Sequence, residues 1–316
     1  MILVTGSTGF IGRHLVAQLM AQGRAVRILI PPHKVNRLPW PQPPEVIPGS
    51  ILDDEALFKA ATGAHVVIHL ENAFWWGRPR DLERVELTGT RQLITAARAA
   101  RVGRMITLSH LGAAPSSAYA LLRVKGQTEE LIRASGLAYT ILRSGLVFGI
   151  EDAFINRIAM QLRSNPAAVL MPGKGEIVLH PIHVDDVVAA LAGSLDSIDV
   201  VDETIEIGGP EYITLEDLLR TVMRVSHASR VIVPVPPYVL RALNAVTSRL
   251  LPRSLMPSQW LDIVAANRTA RLGTLYQYFG VRPKRLEDTL VTYMRGQHYT
   301  LSLIRYTLRR PAAQHK

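Results

Sequence analysis

Short apolar runs alternate with amphipathic stretches through the first half of this chain. Six runs of four to six residues are rich in Val, Ile and Leu, as is typical of buried strands. Helical periodicity fills most of the intervals between them. This alternation predicts an α/β fold, a Rossmann-type doubly wound parallel sheet with helices on both faces. The predicted strands are 2–5, 25–30, 45–48, 65–70, 104–109 and 138–143, and the main helices are 11–21, 82–100 and 118–134.

The second half of the chain is less regular and mainly helical. One helix start carries a capping-box pattern, in which Thr214 precedes Asp217 by three residues. We predict a dinucleotide-binding domain over 1–150 and a smaller substrate or partner region over 151–316. The segment 180–200 is expected to return to the first domain. The other elements predicted here are helices at 153–163, 184–195, 215–225 and 238–251 and a strand at 231–235.

The helix predicted at 238–251 is amphipathic. Its apolar positions recur at helical spacing, so that they share one stripe. An ordinary helix would bury this stripe in the core, whereas a helix at a membrane surface would bury it among lipid head groups. Both interpretations stay open. The stripe consists of Val239, Leu240, Leu243, Val246 and Leu250.

The net charge of +10 is distributed unevenly. Residues 219–316 hold 16 lysines and arginines against three acidic residues, whereas 151–218 hold three against 13. A basic end favours docking on an anionic membrane or a protein partner, although it could equally pack against the acidic segment. The basic residues are scattered and match no nucleic-acid-binding module, so no nucleic acid is expected as a partner.

Composition also limits the compartment and the chemistry. The absence of cysteine excludes disulfides and thiolate chemistry. The chain opens directly on an apolar strand with no visible leader, and no apolar run reaches 18 residues. We therefore expect a cytoplasmic protein, which could be peripheral to a membrane.

A glycine-rich turn follows the first predicted strand. Gly6 permits a tight turn, Gly9 lets the backbone approach a pyrophosphate, and Gly12 allows close packing of helix on strand. The helix that follows offers free N–H groups and the positive end of its dipole to phosphates. Because the pattern lies between a strand and a helix, it predicts a dinucleotide site. Its residues are Gly6, Ser7, Thr8, Gly9, Phe10, Ile11, Gly12 and Arg13.

The end of the second strand bears on the choice of cofactor. A site for NAD usually places an acid there, to bind the ribose 2′-hydroxyl. This chain has no acid at that point, and its cations could meet a 2′-phosphate. We expect NADP rather than NAD, although the same cations could be solvated loop residues. They are Arg13, Lys34 and Arg37.

Several segments together resemble the extended and atypical short-chain dehydrogenase/reductases. They are TGSTGFIG (5–12), VIHL (67–70), GTRQLITAARAARVGRMITLS (89–109), SGLAYTILRSGLVFG (135–149) and HPIHVDDVV (180–188). The second half, with GGPEYITLEDLLR (208–220) and VPVPPYVLRAL (233–243), is similar to the NmrA-like branch that includes an NADPH-binding accessory subunit of complex I. The resemblance implies a nicotinamide cofactor, contacted by Leu70 and Lys125 besides the glycine loop, and a Ser-Tyr-Lys catalytic set.

The catalytic set implied by the resemblance is incomplete. Lys125 matches the lysine that binds the nicotinamide ribose, but Leu121 stands four residues earlier, where the tyrosine belongs. Ser109 lies one place before the usual catalytic hydroxyl, and His110 occupies that place. Tyr119 precedes Lys125 by six residues, which on a helix separates them by about 120° and about 9 Å.

Alternatives remain for each catalytic candidate. With Ser117 as the N-cap, Tyr119 could approach the nicotinamide from another side; otherwise it is a packing or rim residue. Lys125 could pair with Glu129 as an ordinary helix pair. Two carboxylates at positions where the family differs, Glu71 and Glu86, could be replacement acids or could face solvent or His69.

Two further features are ambiguous. Histidines and aspartates in HPIHVDD (180–186) could suggest a metal, but the motif reads as a strand and a helix start that Asp185 can cap, so no metal is expected. Trp75 and Trp76 could form a substrate platform or cover the mouth of the pocket.

We therefore interpret the chain as an NAD(P)-binding protein with a degenerate catalytic set. Its cofactor is expected to be structural or regulatory, with docking to a partner or a membrane complex. The alternative is an active NADP-dependent oxidoreductase or epimerase-like enzyme on a small carbonyl or ring substrate.

Overall fold

A seven-stranded parallel sheet forms the centre of the protein. The computed structural model describes residues 1–72, 82–165, 167–250, 258–294 and 299. In the order β11-β6-β5-β4-β1-β2-β3, the sheet confirms the predicted Rossmann-type fold. Its strands are β1 (Ile2–Thr5), β2 (Val26–Ile30), β3 (Glu45–Pro48), β4 (Val66–His69), β5 (Arg104–His110), β6 (Ala138–Ser144) and β11 (Glu203–Ile207).

Two hydrophobic cores lie on the two faces of this sheet. One face is covered by α1 (Phe10–Ala21) and α6 (Val184–Gly193), which pack against each other. The other is covered by α2 (Asp54–Ala61), α3 (Gly89–Ala99) and α4 (Ala120–Arg133). A π-helical turn, Arg84–Thr88, leads into α3.

The remaining strands are short or lie apart from the central sheet. They form three two-stranded ribbons, in which β7 pairs with β10, β9 with β12 and β8 with β13. They are β7 (Val147–Phe148), β8 (Ala168–Pro172), β9 (Val178–Leu179), β10 (Ile182–His183), β12 (Ile213–Thr214) and β13 (Val231–Val235).

The smaller region is mainly helical. As predicted, Thr214 caps a helix of this group by accepting a hydrogen bond from the Asp217 N–H (3.0 Å). The helices of the second half, apart from α6, are α5 (Phe154–Ser164), α7 (Leu215–Val225), α8 (Pro237–Leu250), α9 (Ser258–Ile263), α10 (Thr274–Phe279) and α11 (Leu286–Met294). Within the described ranges, no helix has the length and apolar character needed to cross a bilayer.

One strand of the central sheet, β11, was not predicted. Its sequence ETIEI buries only two of five residues, Ile205 and Ile207, because it is the edge strand next to β6. Such a polar strand lacks the continuous apolar run that marks the inner strands. Through this strand, a segment beyond residue 200 belongs to the central sheet. The division of the chain near residue 150 stays a prediction.

The amphipathic helix α8 presents most of its apolar stripe to solvent. Leu240 is buried, but Val239, Leu243 and Val246 are 41%, 47% and 55% exposed. Interpreting the stripe as core packing is therefore correct for Leu240 and wrong for these three residues. The side chain of Leu250 lies outside the described residues.

The basic end of the chain also contacts the acidic segment. Lys284 Nζ lies 2.7 Å from Asp185 Oδ2, and Arg285 pairs with Glu211 at 3.2 Å. Packing of basic on acidic segments therefore occurs at these two places. Other arginines of the last third pair locally, such as Arg241 with Asp262.

Candidate functional site

A cavity of about 310 Å³ opens at the carboxyl ends of the central strands. Parallel α/β sheets bind ligands at this edge, where the strand order reverses. The glycine-rich loop between β1 and α1 forms one wall. Apart from Arg37, the residues expected to bind the cofactor all line this cavity: Gly6, Ser7, Thr8, Gly9, Phe10, Ile11, Gly12, Arg13, Lys34, Leu70 and Lys125.

Close backbone contacts explain two of the glycines. Gly6 has a left-handed φ of 68°, and a Cβ there would lie 2.4 Å from the Leu70 carbonyl. A Cβ on Gly12 would lie 2.2 Å from the Gly6 oxygen. Both positions therefore exclude any larger residue. Gly9 is the N-cap of α1 and has no side chain to cover the helix end.

The loop offers hydrogen-bonding groups to an anionic ligand. Ser7 is completely buried, and its Oγ has no hydrogen-bond partner among the described residues. No acidic residue occupies the first turn of α1, so its N–H groups keep their full attraction for phosphate. A buried hydroxyl without a partner in the described structure, beside a bare helix N-terminus, fits a bound pyrophosphate.

The cations near the loop differ in their ion pairing and in their position relative to the cavity. Arg13 Nη1 lies 2.7 Å from Glu151 Oε2, so a carboxylate already neutralises much of its charge. Lys34, in the 3-10 helix after β2, lines the cavity, whereas Arg37 is exposed and outside the lining. Lys34 is therefore the cation best placed for a 2′-phosphate.

Glu71 introduces a carboxyl group into the same cavity. Burial raises the pKa of Glu71 to about 7, and Glu86 adds to this rise. The Lys34 ammonium and the Gly6 N–H act in the opposite direction. Near neutral pH this group is consequently divided between its neutral and charged forms, next to the loop that would hold phosphate.

Lys125 reaches the cavity from α4 and forms a buried ion pair. Its Nζ donates to Glu86 Oε2 at 2.8 Å. Glu86 is 1% exposed, and its Oε1 has no hydrogen-bond partner among the described residues. The alternative pairing of Lys125 with Glu129 is wrong, because Glu129 belongs to a different cluster.

That cluster surrounds the candidate hydroxyl of Ser109. Ser109 Oγ donates to Glu129 Oε1 at 2.5 Å, and Arg133 and Arg143 also donate to this carboxylate. Ser109 is buried and does not line the dinucleotide cavity. In this arrangement its hydroxyl contributes to packing between β5 and α4.

Tyr119 and Leu121 are also directed away from the dinucleotide cavity. Tyr119 is itself the N-cap of α4, in place of the expected Ser117, and its ring lies 5.6 Å from the guanidinium carbon of Arg268. It lines a separate cavity that also includes Lys174. Leu121 is 1% exposed and packs in the core beneath α4.

The chain matches known proteins that bind nicotinamide dinucleotides. A family model described as NAD(P)H-binding matches residues 6–153. Over 250 residues the chain is 28% identical to the mitochondrial protein NADH dehydrogenase [ubiquinone] 1 alpha subcomplex subunit 9 of Mus musculus. This alignment covers 75% of the chain but only 64% of the mouse protein.

Two further matches extend over most of the chain. A 3-diazoavenalumate denitrifying reductase from a Streptomyces species is 28% identical over 277 residues, covering 79% of this chain and 86% of the reductase. The UDP-glucose 4-epimerase of Thermus thermophilus, solved in complex with NAD, superposes with a TM-score of 0.69 at 23% identity. The superposition covers 93% of this chain and 99% of the epimerase. The chain thus resembles NAD(P)H-binding proteins in sequence over residues 6–153 and shares the fold of the epimerase.

The chain departs at two positions from the catalytic set that the sequence resemblance implies. Leu121 replaces the tyrosine, and His110 stands in place of the serine. His110 donates from Nδ1 to the Leu111 carbonyl (3.0 Å), while burial lowers the pKa of His110 to about 4. A neutral imidazole can accept a proton but is a poor proton donor.

Three other histidines have structural partners. His69 is shared between Thr5 (2.7 Å) and Thr90 (3.0 Å), and burial lowers its pKa to about 3. His180 contacts the Gly209 carbonyl at 2.8 Å. The expected helix cap is supplied by His183, whose Nδ1 accepts from the Asp185 N–H (3.3 Å). No cluster of metal ligands occurs among the residues that the structure describes.

Sequence reasoning missed two partners at this site. Glu151, which holds Arg13, follows the VFG segment but carries no motif of its own. Arg268, which contacts Tyr119, lies in the basic last third where no local signal distinguishes it. Trp75 and Trp76 lie outside the described residues.

Proposed function

We propose that the chain binds NADPH in the cavity at the glycine-rich loop, and that the bound cofactor is structural or regulatory. The observation that carries this proposal is that Leu121, which stands at the sequence position of the expected tyrosine, is buried in the core and does not line the cavity. Carbonyl reduction needs a proton donor within hydrogen-bond reach of the substrate oxygen. Tyr119, the nearest phenol in sequence, lies against Arg268 instead.

The preference for NADPH over NADH rests on charge. No acid follows β2, and Lys34 lines the cavity in the region where the ribose phosphate is expected. A bound nicotinamide cofactor would supply a hydride at C4 of its ring. The residues that would hold it are the glycine loop, Lys34, Leu70 and Lys125.

Docking to a larger assembly is the second part of the proposal. The mouse relative is named as a subunit of NADH dehydrogenase, and the segment 219–316 holds 16 basic residues against three acidic ones. A dinucleotide that stabilises the Rossmann domain would then hold the docking region in place. Cofactor loss would weaken docking without any chemical step.

Binding and turnover measurements test the proposal. We expect calorimetry to give tighter binding of NADPH than of NADH, with Lys34→Gln reducing the difference. The matched control is Arg37→Gln, because Arg37 is outside the cavity lining. We also expect no oxidation of bound NADPH across a broad panel of carbonyl compounds; steady turnover with any of them would contradict a structural role.

An active reductase is the alternative function. It is favoured by the position of Lys125 in the cavity lining and by the Streptomyces reductase that aligns with 79% of the chain. In this case the Lys125 ammonium would be the proton donor. Lys125→Met would then abolish turnover at saturating NADPH, whereas Tyr119→Phe would leave it unchanged.

A further inference from the structure

Exposed apolar side chains are concentrated in one short stretch of the smaller region. Large apolar residues that are more than a third exposed recur along β13 and α8, and Tyr238 in the first turn of α8 is 73% exposed. We call this the 231–246 face. It consists of Val231, Val233, Tyr238, Val239, Leu243 and Val246.

Helix geometry aligns the part of this face on α8. Val239, Leu243 and Val246 are spaced four and three residues apart, so they form one stripe about 10 Å long. Leu240 lies about a quarter turn from this stripe and is buried, which attaches the helix to the protein body. Arg241 lies on the opposite side of α8 and pairs with Asp262. The stripe itself therefore faces outward without a polar residue inside it.

The stripe continues onto the ribbon formed by β8 and β13. Val231 and Val233 alternate with the partly buried Ile232, so they share the outer side of β13. Leu170 of β8 is the register partner of Val233 and is also exposed. The outer side of the ribbon is thus apolar across both strands.

The segment that carries the 231–246 face is basic, although three of its arginines, Arg220, Arg224 and Arg241, are paired with carboxylates. Between Asp217 and Asp262 the chain contains six arginines and no acidic residue. Arg230, directly before Val231, donates to the backbone carbonyls of Leu162, Asn165 and Ser229. No carboxylate among the described residues neutralises Arg230, so its positive charge remains available. Lys174, on the turn after β8, is exposed and lines a cavity with Pro237 at the start of α8.

We propose that the 231–246 face docks on the surface of an anionic lipid bilayer. Val239, Leu243 and Val246 would enter the boundary between head groups and acyl chains, and the cations would meet lipid phosphates. Tyr238 suits this depth, because an exposed tyrosine combines an apolar ring with a polar tip. A narrow apolar stripe with Arg230 and Lys174 on neighbouring elements matches this surface better than a protein groove, which would offer acidic and polar partners of its own.

This inference deepens the docking part of the proposed function. The face lies on elements that do not line the dinucleotide cavity. Its loss should therefore leave NADPH binding intact, and each of the two proposals can fail without the other.

Vesicle sedimentation of the full chain tests the inference. We expect the protein to bind vesicles of equimolar phosphatidylcholine and phosphatidylglycerol at low salt. Binding should weaken at high salt and be weak on pure phosphatidylcholine. Leu243→Glu with Val246→Glu should lower the partition coefficient on anionic vesicles about tenfold or more. The milder pair Leu243→Gln and Val246→Thr should reduce it in the same direction.

The matched control is Ile198→Glu. Ile198 is 86% exposed, on the turn after α6, and the substitution adds the same kind of charge away from the face. It should leave vesicle binding nearly unchanged, and all variants should bind NADPH as the parent protein does. The inference is overturned if the parent protein does not sediment with anionic vesicles, or if both face variants bind them unchanged. The inference is also overturned if the face variants lose a cross-linked protein partner but bind vesicles as the parent protein does. The face would then be a protein interface.

Discussion

Replacing Lys125 by Met should destabilise the fold chiefly through the partner that it leaves behind. Glu86 is 1% exposed, and Lys125 is the only described side chain that hydrogen-bonds to its carboxylate. At 2.8 Å and an effective dielectric constant of about 20, the gross attraction between the two charges is about 6 kcal/mol. Much of it offsets the cost of desolvating the pair. Removing one partner of such a pair costs about 3–5 kcal/mol, because an uncompensated charge stays buried.

The reciprocal change should cost less. With Glu86→Gln, Lys125 keeps its charge, but its side chain borders the open cavity and is 13% exposed, so water can reach the ammonium. We expect a loss of about 1–3 kcal/mol. The double variant should be more stable than Lys125→Met alone, because it removes the unpaired carboxylate. A thermodynamic cycle of the four proteins then isolates the coupling between the two residues.

Urea unfolding at neutral pH, followed by circular dichroism, measures these differences. The matched control is Arg220→Met, since Arg220 pairs with Glu216 at the surface, where the side chains are 61% and 38% exposed. It should cost less than about 1 kcal/mol. If Lys125→Met is no more destabilising than Arg220→Met, or if the double variant is the least stable of the four, the reasoning from a buried pair is refuted.

Three further predictions follow from individual positions. NADPH affinity should fall as pH rises through about 7, because Glu71 loses its proton beside the phosphate loop; titrations from pH 6 to 8 should show this slope, and Glu71→Gln should abolish it. Gly12→Ala should lower NADPH affinity at least tenfold and destabilise the fold, since its Cβ would lie 2.2 Å from the Gly6 oxygen; retention of parental binding in calorimetry would contradict this. Asp152 is buried at the start of α5 and its pKa is raised to about 7, so it retains a proton that the unfolded chain releases and stability should fall as pH rises from about 4 to 7. Asp152→Asn should flatten this slope in thermal melts and raise stability at pH 8 by about 1–3 kcal/mol, whereas an unchanged slope would count against the assignment.

The cavity has features of a dinucleotide-binding site, but no tyrosine is among the described residues that line it. The glycine loop, the buried Ser7 hydroxyl and Lys34 all suit a phosphate-bearing ligand. By contrast, Leu121, at the position of the expected tyrosine, is buried in the core and does not line the cavity. Binding and catalysis can separate in this way because each depends on a different group of residues. Cofactor affinity can therefore be tested without knowing a substrate.

Local features of the chain were sufficient to predict the Rossmann fold and the dinucleotide cavity. The apolar runs of the six predicted strands and the spacing of Gly6, Gly9 and Gly12 depend on sterics and hydrophobicity over a few residues. Such signals are readable without knowing any long-range contact. The capping pair Thr214 and Asp217 belongs to the same category, because both members lie in one helical turn.

Tertiary contacts decided the rest. Lys125 pairs with Glu86, 39 residues away, rather than with the nearby Glu129, and Tyr119 lies against Arg268 from the last third. The apolar stripe of α8 is a second example. Its helical spacing can be read from the sequence, but its exposure depends on the packing of other elements around it. Periodicity identifies residues that share a face, but the burial of that face and the partner of each charge depend on segments brought together only by the fold.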